Sequence, residues 1–203
     1  MNNQSTAQGT RKVIANISLS LDGRTAGKNG EYDMGWIVPH AVTDGARNHM
    51  IAVTKPATTA LLGRKNYQGF QAYWPSVADD TNADPRDRAF SQWLNTVEKF
   101  VFSSTLKEAT WENSTIANTD PAALVNELRQ REGGDIIVLS SSSIIQQLLQ
   151  ADALDSLSFT LCPEIVGGGP RLLEGGLPSA SWTLRQSTPT ESGAVVVVYD
   201  RKR

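Results

Sequence analysis

The chain has 203 residues and a mass of 22.0 kDa, with 19 Lys and Arg against 21 Asp and Glu and a pI near 5.7. That length suits one well-buried core, and the missing basic excess argues against a nucleic-acid partner. No apolar run approaches the roughly 20 residues that span a bilayer, and Cys162 with His40 and His49 supplies neither a disulfide nor a zinc set, so a cytoplasmic protein without membrane or metal is expected.

Residues 1–10 are small and polar and read as a flexible tail ahead of a single domain over 11–203. Lys12–Leu19 carries the β-branched residues of a strand and ends at Ser20-Leu21-Asp22-Gly23. An acid leaving a strand before a Gly turn stands at the sheet edge, where α/β sites gather. Asp22 is therefore either a ligand contact or a turn former bonded to its own backbone. Arg24–Pro39 mixes Gly27, Gly30 and Gly35 with Tyr32, Met34 and Trp36, the composition of a long loop that folds over an apolar site as a lid does, or packs Trp36 on the core rim. From His40 to Thr54 the spacing of Val42, Ala46, Met50 and Val53 is helical, with Asp44 near the start, turned to the cleft or to solvent.

In Thr58–Phe70 a short apolar run, Ala60 to Leu62, stops at Gly63 and is followed by Arg64, Lys65 and Asn66. A buried strand here turns into a helix. Gly63 permits a tight turn, and two cations beside first-turn N–H groups would attract an anion such as phosphate. The plain alternative is a strand-to-helix connection with solvated cations. Gln71–Pro75 closes a short aromatic helix, and after a polar loop Asp84-Pro85 starts another that runs to about Asn95 and buries Phe90, Trp93 and Leu94. Strand Lys99–Phe102 exits into Ser103-Ser104-Thr105, hydroxyls that hold a phosphate or ribose, or cap.

Ser114–Ala117 reads as a short strand, followed by a helix from Asp120-Pro121 to Gly133-Gly134 with Leu124, Val125 and Leu128 on one face. Asp135–Leu139 is a strand buried on both faces, and it runs into Ser140-Ser141-Ser142-Ser143 and a helix over Ile144–Gln150. This second junction joins hydroxyls to a helix dipole and suits a pyrophosphate, unless the serines only cap. Cys162 closes strand Leu157–Cys162 as a buried structural thiol, and Gly167-Gly168-Gly169 lacks the spacing and following helix of a nucleotide loop. Trp182–Ser187 and Ala194–Asp200 form a hairpin at the sheet edge. Strands alternating with helices predict a three-layer α/β domain with a mixed sheet.

Taken together these segments resemble the dihydrofolate reductase-like superfamily, in the branch that contains the reductase domain of riboflavin biosynthesis. The resemblance spans about Val13 to Tyr199 and rests on an ordered set: Ser20-Leu21-Asp22-Gly23, Trp36, the Leu61–Tyr67 segment, Tyr73-Trp74-Pro75, the Phe102–Thr105 exit, the strand–serine–helix unit at 136–149, and Pro163 with the Gly-rich loop and Arg171-Leu172. It implies a three-layer αβα fold with a mixed, mostly parallel central sheet and a C-terminal antiparallel hairpin. It also implies a homodimeric reductase using NADPH, with NADH possible. Such an enzyme passes hydride to a C=N or C=O bond of a heterocyclic or sugar-derived small molecule, as in 5-amino-6-(5-phosphoribosylamino)uracil reductases.

By the same resemblance Gly63, Arg64, Lys65 and Asn66 hold the adenosine-side phosphates, and Ser103, Ser104 and Thr105 meet the adenine ribose and its 2′-phosphate. Leu139 with Ser140, Ser141, Ser142 and Ser143 cradles the pyrophosphate, and Ala15 and Asn16 lie beside the nicotinamide. Asp22 binds substrate or orients a water that returns a proton, Trp36 closes the lid, and Asp44 is a further substrate contact. Serine stands where the family pattern has glycine after residues 136–139, and Ser104 where it often has Arg. The acid that follows the Trp-x-x-Pro element in folate enzymes is missing after Trp36-Ile37-Val38-Pro39, so dihydrofolate is not the expected substrate. A nucleotide-binding module without turnover is the alternative reading.

Overall fold

The computed structural model describes residues 11–30 and 32–203; the expected tail at 1–10 lies outside them. Eight strands form one sheet in the order β4-β3-β2-β5-β1-β6-β8-β7. They are β1 (Val13–Ser20), β2 (Ala57–Gly63), β3 (Glu98–Phe102), β4 (Ser114–Ala117), β5 (Asp135–Leu139), β6 (Ser156–Cys162), β7 (Trp182–Pro189) and β8 (Val195–Arg201). The first six run parallel, and β8 and β7 add the antiparallel hairpin predicted at the edge.

Pleating sends alternate residues to opposite faces, and both faces are covered. Val13, Ala15, Ile17, Ile136 and Val138 pack under α5 (Pro121–Leu128) and α6 (Ser142–Gln150). Ile14, Ala60, Leu62, Ile137 and Leu139 pack under α2 (Asp44–Thr54), α3 (Arg64–Val77) and α4 (Pro85–Thr96). This is the expected three-layer αβα architecture with a mixed, mostly parallel sheet.

Three boundaries differ from the sequence reading. The helix expected over His40–Thr54 is two: a one-turn α1 (Val38–Ala41), then α2, whose start is capped by Thr43 accepting from the Ala46 amide. The helix before Asp84 is not short but reaches Val77 with Pro75 inside it. Proline costs an internal hydrogen bond; here it falls in the last turn, where Trp74 stacks edge-on against Phe90 at 4.7 Å and the Ser91 hydroxyl donates to the Trp74 carbonyl. Helix α5 ends at Leu128, well before Gly133.

Inserting β5 between β2 and β1 sets the site. It brings the exits of β2 and β5, Gly63 and Ser140, side by side at the carboxyl edge of the sheet, where ligands of open α/β folds bind.

Candidate functional site

Strand β5 leaves the sheet through Ser140, whose φ of 51° lies in the left-handed region that glycine enters freely and other residues seldom do. The serine that replaces the expected glycine thus keeps a glycine-like backbone. Ser141, 4% exposed, is the junction of the two exits. Its Oγ donates to the Leu139 carbonyl at 2.9 Å and accepts from the Gly63 amide at 2.8 Å and from Asn66 Nδ2 at 3.1 Å; Asn66 Nδ2 also reaches the Leu139 carbonyl at 3.2 Å.

The helix starts divide into two kinds. Those of α2, α4 and α5 are closed by the side chains of Thr43, Asp84 and Asp120, whereas α3, α6 and the one-turn α1 begin without a side-chain cap. First-turn N–H groups have no partner within a helix, so an end left uncapped is where an anion is stabilised. The starts of α3 and α6 open on one cavity of about 310 Å3, which also receives Arg64, Lys65 and Asn66 from α3 and Ser140 to Ser143 from the β5 exit. Its opposite wall is Thr25, Ala26, Met34 and Pro170, and among the described residues no carboxylate or imidazole lines it.

Asp22 does not open onto this cavity but holds that wall. Its carboxylate accepts from Ser20 Oγ at 2.7 Å, from the Val166 and Gly167 amides at 3.1 Å each, and from Arg24 Nε at 3.3 Å. The Ser20 hydroxyl first, then the two amides and Arg24, outweigh desolvation and hold the carboxyl well below the usual carboxylate range. Arg24 in turn donates to the Gly169 carbonyl, and the Thr25 amide donates to the Pro170 carbonyl at 3.0 Å. At Gly169 the φ is 85° and any Cβ would run into the Ala26 and Gly27 carbonyls, so only glycine lets the two loops meet.

Other predicted site residues lie elsewhere. Asp44 is on the surface, 68% exposed and paired with Arg86 of α4. Ala15 and Asn16 are buried in mid-β1, with Asn16 Nδ2 directed at Met50 Sδ. Trp36 stands half-buried in the 3-10 turn Gly35–Ile37, donating to the Asp33 carbonyl, while Met34 lines the cavity. The Ser103 hydroxyl accepts from the Thr105 and Leu106 amides, capping its own turn; Phe102 reaches the cavity, and Ser104 and Thr105 do not line it.

A wider apolar cavity of about 390 Å3 lies between α6, β6, β8 and the segment 173–182. Its carboxylate, Asp152, is paired with Arg201, which leaves no set of polar groups converging there. Among the described residues no His, Cys, Asp and Glu group is arranged to hold a metal, and no helix is long and apolar enough to cross a membrane.

A family model, the RibD C-terminal domain, matches residues 11–196. The Bacillus subtilis (strain 168) protein YyaP, itself uncharacterized, is 26% identical over 191 residues, or 93% of this chain and 94% of YyaP. The solved dihydrofolate reductase from Enterococcus faecalis, complexed with NADP(H) and RAB-propyl, is 16% identical with a TM-score of 0.61, over 95% of this chain and 97% of that one. The diaminohydroxyphosphoribosylaminopyrimidine deaminase/5-amino-6-(5-phosphoribosylamino)uracil reductase of Thermotoga maritima is 14% identical with a TM-score of 0.63, over 95% of this chain but 57% of that one. At these identities the two structures establish a shared fold.

Proposed function

The chain belongs to the RibD C-terminal domain family, and from that membership we propose that it is an NADPH-dependent reductase of a small heterocyclic or sugar-derived compound. The observation that carries the reading is the convergence of two uncapped helix starts with Arg64 and Lys65 on one cavity. A dinucleotide brings the phosphate oxygens that such a place attracts, and its nicotinamide supplies hydride when bound.

This chain's residues would do the rest. The first turns of α3 and α6, with Arg64 and Lys65, hold phosphate oxygens, and the hydroxyls of Ser142 and Ser143 add donors beside them. Thr25, Ala26, Met34 and Pro170 close the opposite side and exclude water. Asp22, kept ionised, orients that wall and does not give up a proton. The substrate offers a C=N or C=O bond; 5-amino-6-(5-phosphoribosylamino)uracil and related pyrimidines are the first to try. We read the enzyme as a cytoplasmic homodimer.

Titration with NADPH and with NADH, followed by nicotinamide fluorescence and by melting temperature, tests the cofactor. No response to either at millimolar concentration sinks the proposal. One observation favours a second reading, a nucleotide-binding module without turnover: among the described residues, the cavity lining has no carboxylate or imidazole. NADPH oxidation with any member of a panel of pterins, pyrimidines and simple carbonyl compounds would remove that reading.

A further inference from the structure

The segment joining β6 to β7 begins with residues 163–171, none of which has a buried side chain, although Cys162 and Leu172 at its two ends are wholly buried. Ile165 is 78% exposed. Apolar burial therefore does not set the path of this segment, and hydrogen bonds must. Asp22 supplies two of them, to the Val166 and Gly167 amides. Backbone bonds add to these, the Leu21 amide donating to the Glu164 carbonyl at 2.8 Å and the Thr25 amide to the Pro170 carbonyl at 3.0 Å. A further side-chain anchor comes from His40 in α1, which is 5% exposed and takes no part in the cavity.

His40 bonds at both ring nitrogens: Nε2 lies 3.2 Å from Glu164 Oε1 and Nδ1 lies 2.9 Å from Ser192 Oγ, in the turn between β7 and β8. The hydroxyl network assigns the hydrogens for a neutral ring. Ionised Glu164 only accepts, so Nε2 carries the hydrogen and Nδ1 accepts from Ser192. Thr190 Oγ1 donates to the Ala194 carbonyl and lies 3.2 Å from Ser192 Oγ. Were the ring protonated, the Ser192 hydroxyl could turn to Thr190 and every atom would stay satisfied. The tether therefore needs no particular protonation state. The other charged groups at this corner are already engaged: Glu191 accepts from the Gly45 amide at 3.1 Å, and Asp44 pairs with Arg86.

We infer that His40 is a positioning residue for the candidate site: by gripping Glu164 and Ser192 together it fixes the segment on which Asp22, Arg24 and Thr25 build the cavity wall. The inference rests on reading that cavity as the cofactor site. The path is short, since Glu164 is separated from the Asp22-bound amide of Val166 by Ile165 alone, and Pro170, further along the same segment, lines the cavity.

The experiment measures amide exchange at Val166 and Gly167 in the cofactor-free chain, and separately the NADPH dissociation constant, for wild type, His40→Ala and His40→Gln. Loss of one such anchor corresponds to about a tenfold change. His40→Ala is expected to speed exchange at both amides by about tenfold and to weaken NADPH binding by about tenfold. Amides of α5 should be unchanged, and His40→Gln, which can still donate and accept, should recover most of both effects. Unchanged exchange at Val166 and Gly167 overturns the inference, as does an increase that extends into α5, which would mark His40 as general scaffolding. If wild type binds no NADPH, the cofactor reading falls, while the exchange comparison still decides whether His40 holds the wall.

Discussion

The Gly63 amide donates to Ser141 Oγ at 2.8 Å, so one buried hydroxyl joins the exits of β2 and β5. The glycine expected to offer its N–H to an anion has therefore already spent it inside the protein, and Ser141 holds the two exits in register.

Ser141→Ala should be costly for its size. It strands the Gly63 amide, one donor of Asn66 and one bond to Leu139 in a buried place. Unsatisfied buried groups cost about 1–3 kcal/mol each, with sharing and relaxation keeping the total near the upper end for one group, about 3 kcal/mol. Urea unfolding measures it; a loss under about 0.5 kcal/mol, the size of an ordinary surface change, would show that the junction is not rigid.

Ser140 permits a backbone test with opposite signs. Its side chain is exposed, and its φ of 51° is the strained feature. Ser140→Gly should relieve left-handed strain and leave stability equal or raise it by up to about 1 kcal/mol, since glycine's unfolded-state entropy offsets part of the gain. Ser140→Val should lower stability by about 1–2 kcal/mol, because β-branching is worst tolerated there. If both substitutions move the melting temperature the same way, the conformation is not what governs this position.

Arg11 ends the chain's approach to β1 and is 5% exposed. Its guanidinium donates to the Gly134 carbonyl at 2.6 Å, the Leu128 carbonyl at 3.2 Å and the Thr58 and Thr59 hydroxyls at 3.1 and 2.6 Å. Arg11→Met keeps much of the volume but removes every donor, with an expected loss of about 3 kcal/mol or more. Arg11→Lys should recover only part of it, lacking the planar fork. Equal stability of the Met and wild-type chains in denaturant would contradict this.

His49 makes stability depend on pH. Burial first, and then the charge of Arg185, push its pKa from 6.5 down to about 4, with Nε2 2.7 Å from Ser158 Oγ. Between those values the unfolded chain binds more protons than the folded one, so stability falls as pH drops from 6.5 to 4 and is unaffected by this group above 6.5. The full interval corresponds to about 3 kcal/mol. His49→Gln should flatten that part of the curve, and the His49 ring should remain neutral by NMR at about pH 5, midway in the interval set by burial.

Much of this site was legible in the sequence because its parts are local. A strand that stops at Gly63 before two cations, and another that runs into four serines before a helix, are patterns confined to a few residues. What their order could not tell was that β5 would insert between β2 and β1 and seat them together. Ser103 shows the opposite case: a hydroxyl at a strand exit looks the same in sequence whether it faces a ligand or caps its own turn, as it does here. His40, Glu164 and Ser192 left no signal, since their neighbours in the chain share no period and only the fold brings α1, the segment after β6 and the turn between β7 and β8 together. Pro75 misled because proline is a strong stop in general, and only the packing of Trp74 and Ser91 against the last turn of α3 lets the helix continue.

Two helix ends left open also bear on how long the protein survives. A side-chain cap is worth about 1 kcal/mol, and α3 and α6 forgo theirs. A dinucleotide at one hundred times its dissociation constant would return about 2.7 kcal/mol to the folded state. A change of that size alters the unfolded fraction available to proteases by about a hundredfold. The amount of this protein in a cell would then follow the cofactor supply, with chains made in excess of it cleared first, and proteolytic half-lives with and without NADPH would reveal that dependence.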